Sequence, residues 1–196
     1  MEDARDKKLK LRREVESRVA ELAEPDLEAK KALIRDQLFG FANFKEADTV
    51  FFYAGSGDKE TAKSIAAYCM DNGKDLVVPL FGQQQPANPG LFKISSLDAD
   101  TREGPQGALE PDPERCKPMP FKSVDIAVVP GVAFDEKGAR LGSGAGRYDR
   151  LVPMLPNTAR KVALAMEEQI VSSIPMESHD KYVDIIITEK RIIYKI

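Results

Sequence analysis

Between Thr49 and Leu80 the sequence admits essentially one supersecondary unit. Thr49-Val50-Phe51-Phe52-Tyr53-Ala54 and Leu76-Val77-Val78-Pro79-Leu80 are short apolar runs rich in aromatic or β-branched residues. Runs of that length and composition read as buried strands. A helix is expected between them, ending at about Asp71, with Ile65, Ala66, Cys69 and Met70 inward. Asp58 stands where an N-cap belongs, and Asn72-Gly73 is a natural stop. Strand, helix and strand make a βαβ crossover, which is right-handed. The turn from Tyr53 to Asp58 then lies at the carboxyl edge of the sheet, where open α/β sheets take their ligands.

A second feature belongs at the same edge. Arg140-Leu141-Gly142-Ser143-Gly144-Ala145-Gly146-Arg147-Tyr148-Asp149 follows the apolar run Val124 to Val129 and the turn Asp135-Glu136-Lys137-Gly138. Glycines at alternate positions remove each β-carbon where a backbone would approach a ligand. Successive amides of such a loop can form an anion-binding concavity. Arg140 and Arg147 flank it with positive charge, and Asp149 closes it with a carboxylate suited to a metal. The plain alternative is a flexible connector. The spacing is G-x-G-x-G, so a dinucleotide fingerprint does not match.

The remaining chain fits one α/β domain over residues 1–196. A helix from about Arg5 to Glu24 carries Leu11, Val15, Val19 and Leu22 on one stripe and ends at Pro25. Lys8 and Arg12, four apart, share a face that is either solvated or meets phosphates. A second helix, capped by Asp26, runs from Leu27 to about Phe39 and stops at Gly40. Leu91 to Ser95 reads as an edge strand in a proline-rich stretch from 82 to 120. A short helix from Tyr148 is limited by Pro153, and strands are expected at Lys161–Ala165 and Val183–Thr188.

Composition excludes several classes. A net charge of −3 gives no general attraction to nucleic acid. No apolar run is long enough to span a bilayer, and the charged N-terminus has no signal core. Cys69 and Cys116 lack metal-ligand spacing, which points to buried thiols in a reducing cytoplasm. His179 is the single histidine, so zinc is not expected and a loop-tethering role is.

The glycine loop, after Val129-Pro130-Gly131-x-Ala133-Phe134-Asp135, resembles the signature of the 5-formyltetrahydrofolate cyclo-ligase family. Lys8-x-x-Leu11-Arg12, Tyr53 to Thr61, Gln169, Pro175, His179-Asp180, Val183-Asp184 and Thr188-Glu189 extend the likeness along the chain. The resemblance implies a three-layer fold with a mostly parallel mixed sheet flanked by helices, related to the sugar-isomerase and CoA-transferase group. It implies ATP- and Mg²⁺-dependent cyclisation of a reduced folate, 5-formyltetrahydrofolate, to 5,10-methenyltetrahydrofolate; a cytoplasmic monomer is expected, although the sequence itself does not reveal the oligomeric state. Carried over residue by residue, it assigns ATP to Lys8, Arg12, Arg140, Gly142, Gly144, Gly146, Arg147 and Tyr148. It assigns folate to Tyr53, Asp58, Ser143 and Arg147, magnesium to Asp149 and Asp180, and catalysis to Tyr148 and Arg140. Two positions depart from the pattern: Asp58 stands where the family usually has glutamate, and Arg147 where an aromatic residue usually precedes the tyrosine. Ala145 also replaces a lysine found in some members. These departures leave a second reading, a non-catalytic relative that binds folate or nucleotide.

Overall fold

The computed structural model describes residues 3–53, 59–81, 89–104 and 108–195. In chain order the elements are α1 (Ala4–Ala20), α2 (Glu24–Gly40), α3 (Ala42–Glu46), β1 (Thr49–Phe52), α4 (Lys59–Asp71), β2 (Asp75–Leu80) and β3 (Gly90–Ile94). They continue with α5 (Leu97–Asp100), β4 (Thr101–Glu103), β5 (Leu109–Pro111), β6 (Lys117–Met119), β7 (Ile126–Val128), β8 (Ala133–Asp135) and β9 (Arg140–Leu141). The last are α6 (Arg147–Leu151), β10 (Arg160–Leu164), β11 (Ile170–Val171), β12 (Ile185–Ile187) and β13 (Ile192–Tyr194). The fold is α/β with mixed strand pairing, as expected. Its backbone forms two compact units, Met1–Leu38 with Val129–Val152 and Lys161–Ile196, and Phe39–Val128 with Pro153–Arg160.

The second unit contains the βαβ crossover. β1 pairs in parallel with β2 and with β7, and all four residues of β1 are buried. The Asp125 carboxylate fixes the start of this pairing by accepting the Asp48 and Thr49 amides at 3.0 and 2.8 Å. α4 buries Ala62, Ile65, Ala66 and Cys69, whereas Met70 is 37% exposed. One residue advances a helix by about 100°, so the position after Cys69 leaves the inward stripe. β3 is not an edge strand, because β6 pairs with it on the side away from β2. The prolines leave β5 and β6 only three residues each. Both cysteines are free and buried. Burial pushes the Cys69 thiol up to about 12.

In the first unit β10 runs parallel to β12, and β12 pairs antiparallel with β13. β13 is too short to stand out by periodicity; pairing with β12 makes it a strand. α1 ends at Ala20, earlier than expected. Pro25 lies in the first turn of α2, where proline lacks only an N–H that the helix would not use. Asp26 therefore sits inside that turn rather than capping it, and its charge suits the helix dipole there. α1 is anchored by Val15, buried with Ala133, Ala139, Leu141 and Ile174.

The hairpin β8–β9 leads directly into the glycine loop and is built on one buried carboxylate. Asp135 Oδ1 accepts the amides of Lys137 and Ala139, each at 3.0 Å, and Oδ2 accepts that of Ile174 at 3.1 Å. Gly138 turns the hairpin at φ +82°, and a β-carbon there would lie 2.4 Å from the Val183 carbonyl oxygen. Among the described residues no helix is long and apolar enough to cross a membrane.

Candidate active site

α1 and the glycine loop meet within the first unit. Arg12 Nε donates to the Gly142 carbonyl at 2.7 Å, and the Arg12 guanidinium carbon would lie 3.8 Å from a β-carbon at Gly144. Gly144 and Gly146 have φ of +107° and +62°, a region that strains other residues. Ser143 to Gly146 are exposed, and Gly146 leads into α6. The loop therefore presents backbone to solvent with an arginine at its root.

Lys8 is not part of a solvated face. It is buried, and its ammonium donates to Asp180 Oδ2 at 2.6 Å and Glu177 Oε2 at 2.7 Å. Burial alone would lower the Lys8 pKa, but the hydrogen bonds and charges of both carboxylates outweigh it and raise it. Burial likewise works to raise Asp180, yet Lys8 and the Glu177 amide hold it below its ordinary value. Further along α1, a cleft of about 460 Å³ is walled by Val15, Val19, Leu27 and Val132, with Glu16 and Glu24 also lining it. Glu16 and Glu24 would repel a phosphate, so this cleft does not suit a polyanion.

Arg140 departs from expectation. Its side chain is 2% exposed and does not lie open to a ligand. Nη1 donates to the Pro130 carbonyl at 3.0 Å and Nη2 to Asp149 Oδ1 at 2.6 Å, while Nε is buried with no hydrogen bond among the described residues. Tyr148 is also buried, within α6 rather than in the loop, with its ring 5.7 Å from the Arg140 guanidinium. Arg147, the first residue of α6, is half-buried with Nη1 shielded from solvent.

Of the expected metal ligands, Asp149 has one oxygen engaged by Arg140 and Asp180 has one engaged by Lys8 and the Glu177 amide. Each retains a second carboxylate oxygen, a hard donor of the kind Mg²⁺ takes. Among the described residues the one cluster of three potential ligands comprises Glu177, His179 and Asp180, without Asp149. His179 is 68% exposed, and its Nε2 stands 3.5 Å from Asp180 Oδ1.

In the second unit, half-buried Tyr53 follows β1 and meets Phe81 edge-on at 6.3 Å. Asp58 lies outside the described residues. The C-terminal motif residues turn out to brace the first unit. Gln169 donates to the Val132 carbonyl at 3.1 Å, and Lys30 on α2 pairs with Glu168 at 2.9 Å and Glu189 at 2.5 Å. Glu177, Asp135 and Pro130 were not singled out as site residues by the sequence. Pro130 and Asp135 stood inside the signature that precedes the glycine loop, without a role of their own, whereas Glu177 carries no pattern that would reveal it.

A model of the 5-formyltetrahydrofolate cyclo-ligase family matches residues 4–189. A probable 5-formyltetrahydrofolate cyclo-ligase of Schizosaccharomyces pombe is 28% identical over 97% of this chain and 98% of its own length. The 5-formyltetrahydrofolate cyclo-ligase of Mycolicibacterium smegmatis is 36% identical over 73% of this chain and 74% of its own. The NMR structure of the Aquifex aeolicus 5,10-methenyltetrahydrofolate synthetase superposes with a TM-score of 0.78 at 27% identity, covering 96% of this chain and 92% of that one.

Proposed function

The chain belongs to the 5-formyltetrahydrofolate cyclo-ligase family, and from that premise we propose that it closes 5-formyltetrahydrofolate to 5,10-methenyltetrahydrofolate at the expense of ATP. The formyl oxygen attacks the γ-phosphorus, and ADP leaves with the electrons of the broken P–O bond. N10 of the same folate then attacks the activated formyl carbon, closing the ring, and its proton passes to the departing phosphate or to solvent. Phosphate departs with the former formyl oxygen and the electrons of its C–O bond, leaving the methenyl cation.

Little acid–base machinery is needed for these steps. Charge must be neutralised on the transferring phosphoryl, and the reacting atoms must be aligned. Lys8, Arg12 and the amides of Ser143 to Gly146 are the groups suited to hold the triphosphate. Asp149 and Asp180 would each offer one carboxylate oxygen to magnesium, which when bound would supply charge neutralisation to the phosphates. Tyr53, Asp58, Ser143 and Arg147 are assigned to the folate, and Arg147 brings a charge suited to the glutamate tail or a phosphate. Tyr148, assigned to ATP and to catalysis by the resemblance, is buried in α6 directly after the loop.

The observation that supports this reading is the Arg12–Gly142 hydrogen bond. It joins the family's two basic and glycine-rich signatures, far apart in sequence, at one backbone position. The test is turnover: the chain, Mg-ATP and 5-formyltetrahydrofolate should yield the methenyl chromophore with one phosphate released per product. Saturable ATP binding without product would establish the non-catalytic reading instead.

A further inference from the structure

A guanidinium with 2% exposure must spend its charge inside the protein, because an unpaired buried cation is prohibitively costly. Among the described residues, Asp149 is the carboxylate that meets Arg140. The Pro130 carbonyl takes the other terminal nitrogen at 3.0 Å, so the planar fork spans two fixed acceptors. Two glycines make room for it. Residues 140 and 142 are i and i+2 at the end of an extended segment and share a face. A β-carbon at Gly142 would lie 2.8 Å from Arg140 Nη1, and one at Gly131 would lie 3.1 Å from Arg140 Cγ and 2.5 Å from Phe134 Cζ.

We propose that Arg140 is a positioning residue that aims Asp149 at the catalytic metal, and that Gly142 is glycine to leave room for that guanidinium rather than for a phosphate. This rests on the reading of Asp149 as a magnesium ligand given above. Arg140 holds Oδ1 and leaves Oδ2 to the cation, which is how outer partners orient metal-binding carboxylates. A second arginine grips the loop: Arg12 is bonded to the carbonyl of the same Gly142. The two arginines thus have different tasks: Arg12 is placed for the polyanion, and Arg140 for the carboxylate.

The two tasks separate in a binding experiment without turnover. Calorimetric titration with a non-hydrolysable ATP analogue, in EDTA and in Mn²⁺, gives the factor by which metal strengthens nucleotide binding. Arg140→Lys keeps the charge but cannot span both acceptors. It should leave the metal-free affinity within twofold and cut the Mn²⁺ factor by about 10-fold or more, the range for lost outer-sphere partners. Gly142→Ala, which retains the guanidinium but displaces Nη1, should shift the factor the same way and serves if Arg140→Lys does not fold. A fall in metal-free affinity for Arg140→Lys, with or without a change in the Mn²⁺ factor, overturns the proposal, as does an unchanged factor in both variants. If wild-type chain shows no Mn²⁺ enhancement, the magnesium reading of Asp149 fails together with the proposal. Wild-type enhancement with unaffected variants removes this proposal alone.

Discussion

Replacing Asp135 by asparagine removes one charge from the hairpin that carries the glycine loop, with almost no change in volume. The native carboxylate accepts three backbone amides, two on Oδ1 and one on Oδ2. Asparagine can keep its oxygen toward Lys137 and Ala139, but its NH₂ then faces the Ile174 amide, donor against donor. The opposite rotamer loses two bonds instead of one, so the first is preferred. Losing a charge-assisted bond to a buried amide costs roughly 1.5–3 kcal/mol, and demoting the other two to neutral bonds costs roughly 0.5–1 kcal/mol each. About 2.5–5 kcal/mol in all corresponds to a fall in Tm of roughly 5–20 °C for a chain of this length. Thermal melts followed by circular dichroism measure it. The exposed neighbour Glu136, paired with Arg191, provides the control: Glu136→Gln should move Tm by less than ~2 °C. A shift for Asp135→Asn no larger than that of the control would refute the assignment of this carboxylate as the hairpin's internal anchor.

Three further outcomes are expected. Lys8→Ala with Arg12→Ala should raise the ATP KM by about 10–100-fold per lost contact while the folate KM stays within a factor of two; equal effects on both substrates would show that α1 serves folding rather than phosphate. Glu167, Glu168 and Asp180 all lie below their ordinary values: burial opposes the shift, but Arg191 and Thr188, Lys30, and Lys8 respectively overcome it. Their stabilisation is complete above the ordinary carboxylate range, so Tm should be level near neutrality and fall as pH drops below about 4.5. Lys8 and Lys30 are raised and lose their contribution only as pH rises above 10.5; a Tm that falls between pH 5 and 8 would contradict this origin. The buried Cys69 thiol should resist a disulfide reagent at pH 8 and react promptly in denaturant, and fast reaction in the folded chain would contradict its packing.

The sequence by itself determined the crossover from Thr49 to Leu80, the two amphipathic N-terminal helices and the glycine loop. Each is local: a period, a stop residue or a row of absent β-carbons is complete within a few turns of chain. It also determined that Lys8 and Arg12 share a face, since four residues on a helix fix that geometry. Tertiary structure decided what those side chains face. Lys8 could be read as solvated or as a phosphate contact, because nothing nearby in the sequence shows that Glu177 and Asp180 return to cover it. Arg140 looked like a phosphate ligand because a flanking arginine beside glycines carries the same pattern whether it points out or in. Its direction was set by the Pro130 carbonyl and Asp149, acceptors that only the folded hairpin brings to opposite ends of one guanidinium. A buried charge goes where its partners are, and partners are a property of three dimensions.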